Sequence, residues 1–253
     1  MLRDRPVDVP DYIGADPNGE AARRRIGIPT ERRAVSSDSL PRFFPPAKEA
    51  RYHGLLATGG LLTPEWLLDA YSHGIFPWPL TDGTLAWFSP DPRAIIEFDE
   101  LHVSRRLRDT LRSGKFEVRI NTAFADVMRG CASAQDRGES TWISDEMFAA
   151  YCEMHRLGHA HSVEVWHEGR LAGGTYGLAI GGLFAAESMF YYVTDASKVA
   201  VVALVERLKT RGFGLLDIQQ LTPHSARLGA KEIRRREYLK RMETALRIDA
   251  SFV

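Results

Sequence analysis

Strand-like and helix-like runs alternate along the second half of the chain. Three of them, H-S-V-E-V-W, L-A-G-G-T-Y-G-L-A-I and L-F-A-A-E-S-M-F-Y-Y, have the composition of strands and are separated only by Glu168 to Arg170 and by Gly181 to Gly182. Connections this short predict an antiparallel meander. A helical pattern from about Asp195 to Arg211 follows, and F-G-L-L-D-I-Q then predicts another strand. A strand, a long helix and a strand in this order indicate a right-handed parallel crossover.

The first half of the chain has shorter and more interrupted patterns. Thr63 precedes the run P-E-W-L-L-D-A-Y, which predicts a helix with Thr63 as its N-cap and Gly74 after its end. The segments G-I-F-P-W-P and W-F-S-P-D-P-R are broken by prolines and predict loops that present aromatic rings. Further elements are predicted as follows: a helix at Val103 to Arg112, a strand F-E-V-R-I, a helix near Ala123 to Cys131, and a helix from Asp145 to Leu157 capped by Ser144.

These patterns divide the chain into three regions. Residues 1–40 are rich in Arg, Asp, Pro and Ser and have no sustained apolar period, which predicts a flexible extension. Residues 41–93 are expected to form a small N-terminal domain, and residues 94–253 a larger domain that contains the meander. The predicted fold class is α+β, with a mixed sheet in the C-terminal domain.

Composition excludes several classes of protein. With 253 residues, 44% of them hydrophobic and 26% charged, the chain resembles a globular protein, and its formal net charge of zero gives no global attraction to nucleic acid or membrane. Cys131 and Cys152 form no C-x-x-C pair, and no apolar run is long enough for a signal peptide or a membrane span. We therefore expect a cytoplasmic protein that does not insert into a membrane.

Two carboxylates lie inside apolar, strand-like runs. Glu187 belongs to L-F-A-A-E-S-M-F and Asp217 to G-L-L-D-I-Q. Burying a carboxylate is costly unless it is paired or used. Because side chains alternate along a strand, Asp217 and Gln219 are expected on one face, and Leu216 and Ile218 on the other. Structural ion pairs are the alternative to a functional site.

The chain carries a set of motifs that resembles one enzyme family. Its order of meander, helix and parallel strand is the core layout of the Gcn5-related acetyltransferase (GNAT) fold. The motifs are G-I-F-P-W at Gly74, W-F-S-P-D-P-R at Trp87, T-W-I-S at Thr141, A-H-S-V-E-V-W at Ala160, E-S-M-F at Glu187, A-S-K at Ala196, D-x-Q at Asp217 and L-G-A-K-E-I at Leu228. In this order, from about Pro41 to Leu239, they closely resemble the leucyl/phenylalanyl-tRNA–protein transferases.

The resemblance implies an activity and two partners. Members of this family move leucine or phenylalanine from aminoacyl-tRNA to the α-amino group of proteins that begin with Arg or Lys, which marks those proteins for degradation through the N-degron pathway (the N-end rule). Methionine is a further candidate for the transferred residue. The implied catalytic domain is GNAT-like, and the second partner is the N-terminal segment of the acceptor protein. No metal or coenzyme is expected, because the tRNA ester is already an activated acyl donor.

Aminolysis of an ester needs a neutral amine and donors for the developing oxyanion. A free α-amino group has a pKa of about 8, so a base assists the reaction at neutral pH. We expect Asp217 to be this base and Gln219 to hold the amine or orient the carboxylate. The resemblance also places Glu187 in the active site, where its charge attracts the incoming ammonium group.

The resemblance assigns further site residues. The apolar pocket for the transferred side chain is expected from six positions that otherwise look like ordinary core: Phe184, Met189, Thr175, Val201, Leu204 and Leu216. Trp78 and Trp142 match tryptophans that contact the 3′-terminal adenosine of tRNA, with packing at a domain junction as the alternative. Ser197 and Lys198, in the first turn of a helix, suit contact with a phosphate or a carbonyl, or ordinary capping.

Two groups of cations are candidates for holding the tRNA acceptor stem, although charge runs are usually solvated faces. The first basic cluster is Arg105, Arg106, Arg108, Arg112, Lys115 and Arg119, and the second is Lys231, Arg234, Arg235, Arg236, Lys240 and Arg241. The histidines His155, His159 and His161 are not expected to bind zinc, because Gly158 ends the helix between them and no Cys or acid completes a ligand set.

Four positions depart from the usual family pattern: Leu61, Thr175, Ile218 and Arg234 replace an Asp, a larger apolar residue, a Cys and a Pro. The acid and amide of D-x-Q remain, so activity is expected to be retained. Thr175 leaves the choice among leucine, phenylalanine and methionine open, and Arg234 leaves open whether basic or acidic acceptor N-termini are preferred. The alternative functions are an acetyl-CoA-dependent N-acetyltransferase and a non-catalytic tRNA-binding module.

Overall fold

A computed structural model describes residues 43–133 and 141–253, so the predicted extension, residues 1–40, lies outside the described residues. The strands are β1 (Leu55–Thr58), β2 (Phe76–Pro79), β3 (Leu85–Phe88), β4 (Arg93–Ile96), β5 (Glu117–Ile120), β6 (Ala160–His167), β7 (Arg170–Ile180), β8 (Leu183–Tyr191), β9 (Leu215–Gln219) and β10 (Lys231–Ile233). The helices are α1 (Pro64–Ser72), α2 (Arg105–Arg112), α3 (Phe124–Ser133), α4 (Asp145–Arg156), α5 (Ala196–Thr210), α6 (Pro223–Ala226) and α7 (Arg235–Leu246).

A small antiparallel sheet has the strand order β1-β3-β2. The prediction that the proline-broken segments are loops was wrong here, because G-I-F-P-W-P contributes β2 and the W-F of the following motif belongs to β3. Since β2 pairs on one side only, the nitrogen atoms of Pro77 and Pro79 can point away from β3 without breaking the ladder. Helix α1 begins as predicted, with the Thr63 hydroxyl accepting a hydrogen bond from the backbone of Trp66.

The larger sheet has the order β10-β4-β9-β8-β7-β6-β5. Strands β6, β7 and β8 form the predicted antiparallel meander, and β9 lies parallel to β8 after the crossover through α5. The mixed sheet and the GNAT-like order of elements are therefore confirmed. The described residues belong to one compact unit, and the division into domains at residue 93 stays a prediction.

Strands β8 and β9 separate part-way along their length, and this separation positions the site. Their parallel pairing runs from Leu183 with Leu215 to Ala185 with Asp217. Beyond that point Ala186, Glu187 and Met189 on β8, and Ile218 on β9, line a cavity between the two strands. The gap between hydrogen-bonded neighbours thus opens into a cavity.

The two faces of the large sheet are covered differently. Helix α5 packs on one face, where Val199, Leu204 and Leu208 join Leu216 in a buried core. Helices α1, α3 and α4 contribute to the core on the other face, which includes Tyr151. Helix α7 adds a third cluster around Tyr238, Met242 and Ala245. Neither α7 nor β10 was predicted. Within the described ranges no helix combines the length and apolar character needed to cross a membrane.

Candidate active site

The cavity between β8 and β9 has a volume of about 670 Å³ and a largely apolar wall. Five of the six predicted pocket residues line it: Met189, Thr175, Val201, Leu204 and Leu216. Phe184 does not, which corrects the sixth assignment. It is 1% exposed and its ring stacks on Phe252 at a centroid distance of 5.1 Å, so it supports the core instead. The Thr175 hydroxyl donates to the carbonyl of Ser188 at 2.9 Å, which satisfies a polar group in the wall.

Helix α5 supplies one side of the cavity, and the polarity of this side changes along the helix. Ser197, Val201 and Leu204 all line it, and their spacing places them on one helical face. The helix starts close to the sheet because Gly173 on β7 has no side chain: a Cβ atom there would lie 2.7 Å from the Cβ of Ala196. The wall is therefore polar near the N-terminus of α5 and apolar one to two turns further along.

Asp217 is fully buried and hydrogen-bonded on both carboxylate oxygens. The Arg93 guanidinium donates through Nε to Oδ1 at 2.9 Å and through Nη2 to Oδ2 at 2.6 Å. The Tyr238 hydroxyl donates to Oδ2 at 2.8 Å, and the backbone N–H of Gln219 donates to Oδ1 at 2.9 Å. Arg93 itself is 1% exposed and its guanidinium lies over the rings of Phe76 and Tyr238. Asp217 is therefore an anchored partner of a buried cation.

Glu187 has a different environment, because it is only partly buried and lines the cavity. The Tyr151 hydroxyl donates to its Oε2 at 3.1 Å, and the hydroxyls of Tyr151 and Tyr71 are 2.5 Å apart. Desolvation raises the pKa of Glu187 to about 7 and outweighs the opposing effect of the tyrosine hydroxyls. This carboxylate can therefore gain or lose a proton near neutral pH while facing the cavity.

Gln219 connects the two acids. Its side-chain Nε2 donates to Glu187 Oε1 at 2.9 Å, while its backbone N–H donates to Asp217. The alternation predicted for β9 is observed, since Leu216 and Ile218 line the cavity and Asp217 and Gln219 do not. Of the three predicted catalytic residues, only Glu187 is a lining residue. The geometry thus favours Glu187 over Asp217 as the group that exchanges a proton with a ligand.

Comparison with known proteins gives matches to two successive regions of the chain. A sequence model of the leucyl/phenylalanyl-tRNA protein transferase family matches residues 95–243, and the model of its N-terminal domain matches residues 60–91. The chain belongs to this family. The leucyl/phenylalanyl-tRNA–protein transferase of Azoarcus sp. strain BH72 is 51% identical over 79% of this chain and 86% of its own. That of Nitratidesulfovibrio vulgaris strain DP4 is 52% identical over 81% and 88%.

Solved structures with a similar arrangement include two acetyltransferases. An aminoglycoside acetyltransferase from an uncultured soil metagenomic sample matches 45% of this chain and 82% of its own, with 10% identity and a TM-score of 0.35. A ribosomal-protein-alanine N-acetyltransferase from Brucella melitensis biovar Abortus 2308 matches 44% and 84%, with 18% identity and a TM-score of 0.32. At these TM-scores the matches carry no argument about mechanism.

Two tryptophans line the cavity of this family member. The rings of Trp78 and Trp142 stack on each other at a centroid distance of 4.5 Å and an interplanar angle of 20°. Trp78 is 40% exposed, so one aromatic surface is accessible. The predicted packing role and the predicted base-stacking role are both compatible with this arrangement.

Of the residues predicted to contact phosphate or carbonyl groups, some line the cavity or are unpaired within the described residues, and others form ion pairs within the protein. Ser197 lines the cavity, whereas Lys198 does not line it and donates to Asp195 at 2.8 Å. In the second basic cluster, Lys231 and Arg241 are paired with glutamates, including Glu97. Exposed Arg108 and Arg112 in the first cluster have no carboxylate within 4.0 Å in the described part of the chain.

The histidines that were considered for zinc have other contacts. His155 stacks on Phe124 and its Nδ1 bonds with the carbonyl of Ala160. His161 stacks on Phe252, and burial lowers its pKa to about 4. Among the residues that the structure describes, no group of three or more His, Cys, Asp or Glu side chains could hold a metal ion.

Sequence reasoning missed the residues that anchor the acids. Arg93 was visible as the last letter of W-F-S-P-D-P-R, but its distance of 124 positions from Asp217 hid the pairing. Tyr71, Tyr151 and Tyr238 have the burial expected of core aromatics, and only their hydroxyl contacts distinguish them. A general rule was available, because buried Tyr hydroxyl groups usually have a hydrogen-bond partner.

Proposed function

We propose that this protein transfers leucine or phenylalanine from aminoacyl-tRNA to the α-amino group of proteins that begin with Arg or Lys, in the cytoplasm, and so marks them for degradation through the N-degron pathway. Methionine is a further candidate donor residue. The observation that carries the proposal is an apolar cavity with one proton-exchanging carboxylate, Glu187, at its wall. Family membership along most of the chain supports the donor chemistry.

The donor fits the cavity in two parts. Its apolar side chain is directed toward Val201, Leu204 and Leu216, where burial of apolar surface favours binding. The 3′-terminal adenine stacks on the accessible face of Trp78, or enters between Trp78 and Trp142 after the pair separates. The hydrogen-bonding groups of the wall between the apolar residues and the tryptophans are then next to the ester.

The acceptor amine is placed by charge. Ionised Glu187 attracts the α-ammonium group, takes one proton from it, and leaves a neutral amine that attacks the ester carbonyl. The carboxylate becomes neutral. As the amide bond forms, the ester C–O bond breaks, and the 3′-oxygen of the tRNA leaves as a hydroxyl that carries the second proton lost by the amine. Gln219 holds Glu187 through Nε2, and Asp217 holds the backbone of Gln219. We assign Asp217 a positioning role, because two arginine nitrogens, one hydroxyl and one N–H already occupy its oxygens.

The substitution Arg234 gives little support to a preference for acidic acceptors. Arg234 is exposed, at the N-cap of α7, and is not one of the cavity-lining residues. The charged group that does line the cavity is Glu187, which favours a cationic ligand. A basic first residue adds to this attraction.

The test uses tRNA charged with radiolabelled leucine, phenylalanine or methionine and a model protein in four versions, beginning with Arg, Lys, Asp or Glu. Label is expected on the Arg and Lys versions, and blocking the α-amino group by acetylation is expected to prevent it. Acetyl-CoA in place of aminoacyl-tRNA is expected to give no product. Absence of label from every acceptor contradicts the transferase proposal, while label confined to Asp and Glu contradicts the acceptor assignment.

A further inference from the structure

His224 is a cavity residue for which the proposed mechanism gives no role. It lies on α6, directly after β9, and its ring forms part of the cavity wall. Its Nε2 atom is buried and has no hydrogen-bond partner among the described residues. Leaving such an atom unpaired is unfavourable, so the position calls for a ligand that supplies the missing hydrogen bond.

The turn that carries His224 is held in place from both sides. Thr222 and Ser225 form a capping box: the Thr222 hydroxyl accepts from the Ser225 backbone at 3.1 Å, and the Ser225 hydroxyl accepts from the Thr222 backbone at 2.9 Å. These two hydroxyls also lie 3.0 Å from each other. Both line the cavity, but their bonds are made within the turn. The imidazole is thus a fixed polar group with one unused atom.

The protonation state of His224 follows from its surroundings. Burial lowers the pKa of His224, and the positive charges of Lys198 and Arg227 lower it further. Lys198 is in the first turn of α5, next to Ser197 and before the apolar positions Val201 and Leu204. The imidazole is therefore neutral at neutral pH, and it lines the same cavity as Ser197.

We propose that Nε2 of His224 hydrogen-bonds the 2′-hydroxyl of the terminal ribose of the aminoacyl donor and so positions the neighbouring ester. This inference rests on the proposed function, because that function brings an aminoacyl ribose into the cavity. When the apolar side chain lies against the apolar part of the wall, the ester and ribose lie against its polar residues, which include Ser197, Thr222 and His224. A hydroxyl both donates and accepts, so it satisfies either tautomer of a neutral imidazole, whereas an ester carbonyl can only accept.

The test is a comparison of two unreactive donor analogues. In both, leucine is joined to the 3′ position of adenosine by an amide, and only one retains the 2′-hydroxyl. Calorimetric titration of the wild-type protein is expected to show about fivefold to tenfold tighter binding of the hydroxyl-bearing analogue, the effect of one hydrogen bond. His224→Ala is expected to bind the two analogues equally. His167→Ala, which removes a histidine outside the cavity, is the matched control and keeps the preference.

His224→Phe serves as a second variant that retains a ring in the turn without a hydrogen-bonding nitrogen, and it is also expected to lose the preference. A full preference in either His224 variant, or no preference in the wild type, overturns the inference. Binding of the analogues and transfer from aminoacyl-tRNA are separate readouts. A wild type that prefers the 2′-hydroxyl but transfers nothing contradicts the proposed function while supporting the role of His224.

Discussion

Asp217 and Glu187 belong to one hydrogen-bonded chain, yet their surroundings give them opposite properties. The Asp217 side chain is on the face of β9 that points away from the cavity, where Arg93 and Tyr238 fill its hydrogen-bonding capacity. Glu187 lies on the separated part of β8, with two tyrosines behind it and the cavity in front. A carboxylate with a complete set of partners is an anchor, whereas a desolvated carboxylate that still faces a cavity is available for chemistry.

Gln219 links the two acids through its backbone and its side chain. Gln219 has a backbone φ of 57°, an uncommon conformation for a residue with a side chain. Its N–H bonds to Asp217 in this conformation, and its amide then reaches Glu187. The buried Arg93–Asp217 pair thereby sets the position of an amide that holds the carboxylate at the cavity wall.

The largest effect is expected from breaking the buried pair. Arg93→Met leaves the Asp217 carboxylate without its cationic partner in a buried site, and we expect a loss of about 3–5 kcal/mol in the free energy of unfolding. Chemical denaturation measures this loss. Arg247→Ala, which removes an exposed ion pair with Glu243, is the control and is expected to leave stability unchanged. Equal stability of Arg93→Met and the wild type means that Asp217 is not an anchor.

Replacing the other acid is expected to lower transfer without destabilising the fold. Glu187→Gln keeps the shape of the side chain but cannot accept a proton, so we expect kcat/KM for transfer to fall at least about 100-fold. The raised pKa adds a second signature. A neutral carboxyl is favoured in the folded state, so the wild type loses stability relative to Glu187→Gln as the pH rises from 4.5 through about 7.

Glu168→Gln, in the turn between β6 and β7, is the matched surface control for this experiment. It is expected to retain wild-type transfer and to show no such pH-dependent difference. Nearly full activity in Glu187→Gln means that another group acts as the base. The two acids then do not differ in function.

The smallest effect is expected from the tyrosine behind Glu187. The hydrogen bond from Tyr151 favours the ionised carboxylate, so Tyr151→Phe raises the pKa of Glu187 further. The rising limb of the pH profile of kcat/KM is then expected to move upward by up to about one pH unit. Comparison with the wild type on the same acceptor cancels the titration of the amine itself. An unmoved limb indicates that Glu187 is not the titrating group.

Local patterns predicted the meander, α5 and β9 well, because their apolar runs are long and end at clear glycine turns. Strand β2 was missed because proline is excluded from central strands, and only the pairing shows that β2 is an edge. Strand β3 contains no proline, but it ends just before Ser89 and Pro90, so its last two residues were assigned to the predicted loop. Helix α7 was missed because half of its residues are charged. Its buried positions Tyr238, Met242 and Ala245 nevertheless have the spacing of one helical face.

The sequence alone determined the order of meander, helix and parallel strand, the family, and the presence of two acids in neighbouring strands. These depend on residue type and on spacing within short segments, which a linear sequence displays directly. Only the tertiary structure decided which acid is anchored and which is available. That distinction depends on Arg93, Tyr238, Tyr151 and the separation of two strands, which folding brings together across large distances in the chain, and no local pattern encodes how completely each carboxylate is satisfied.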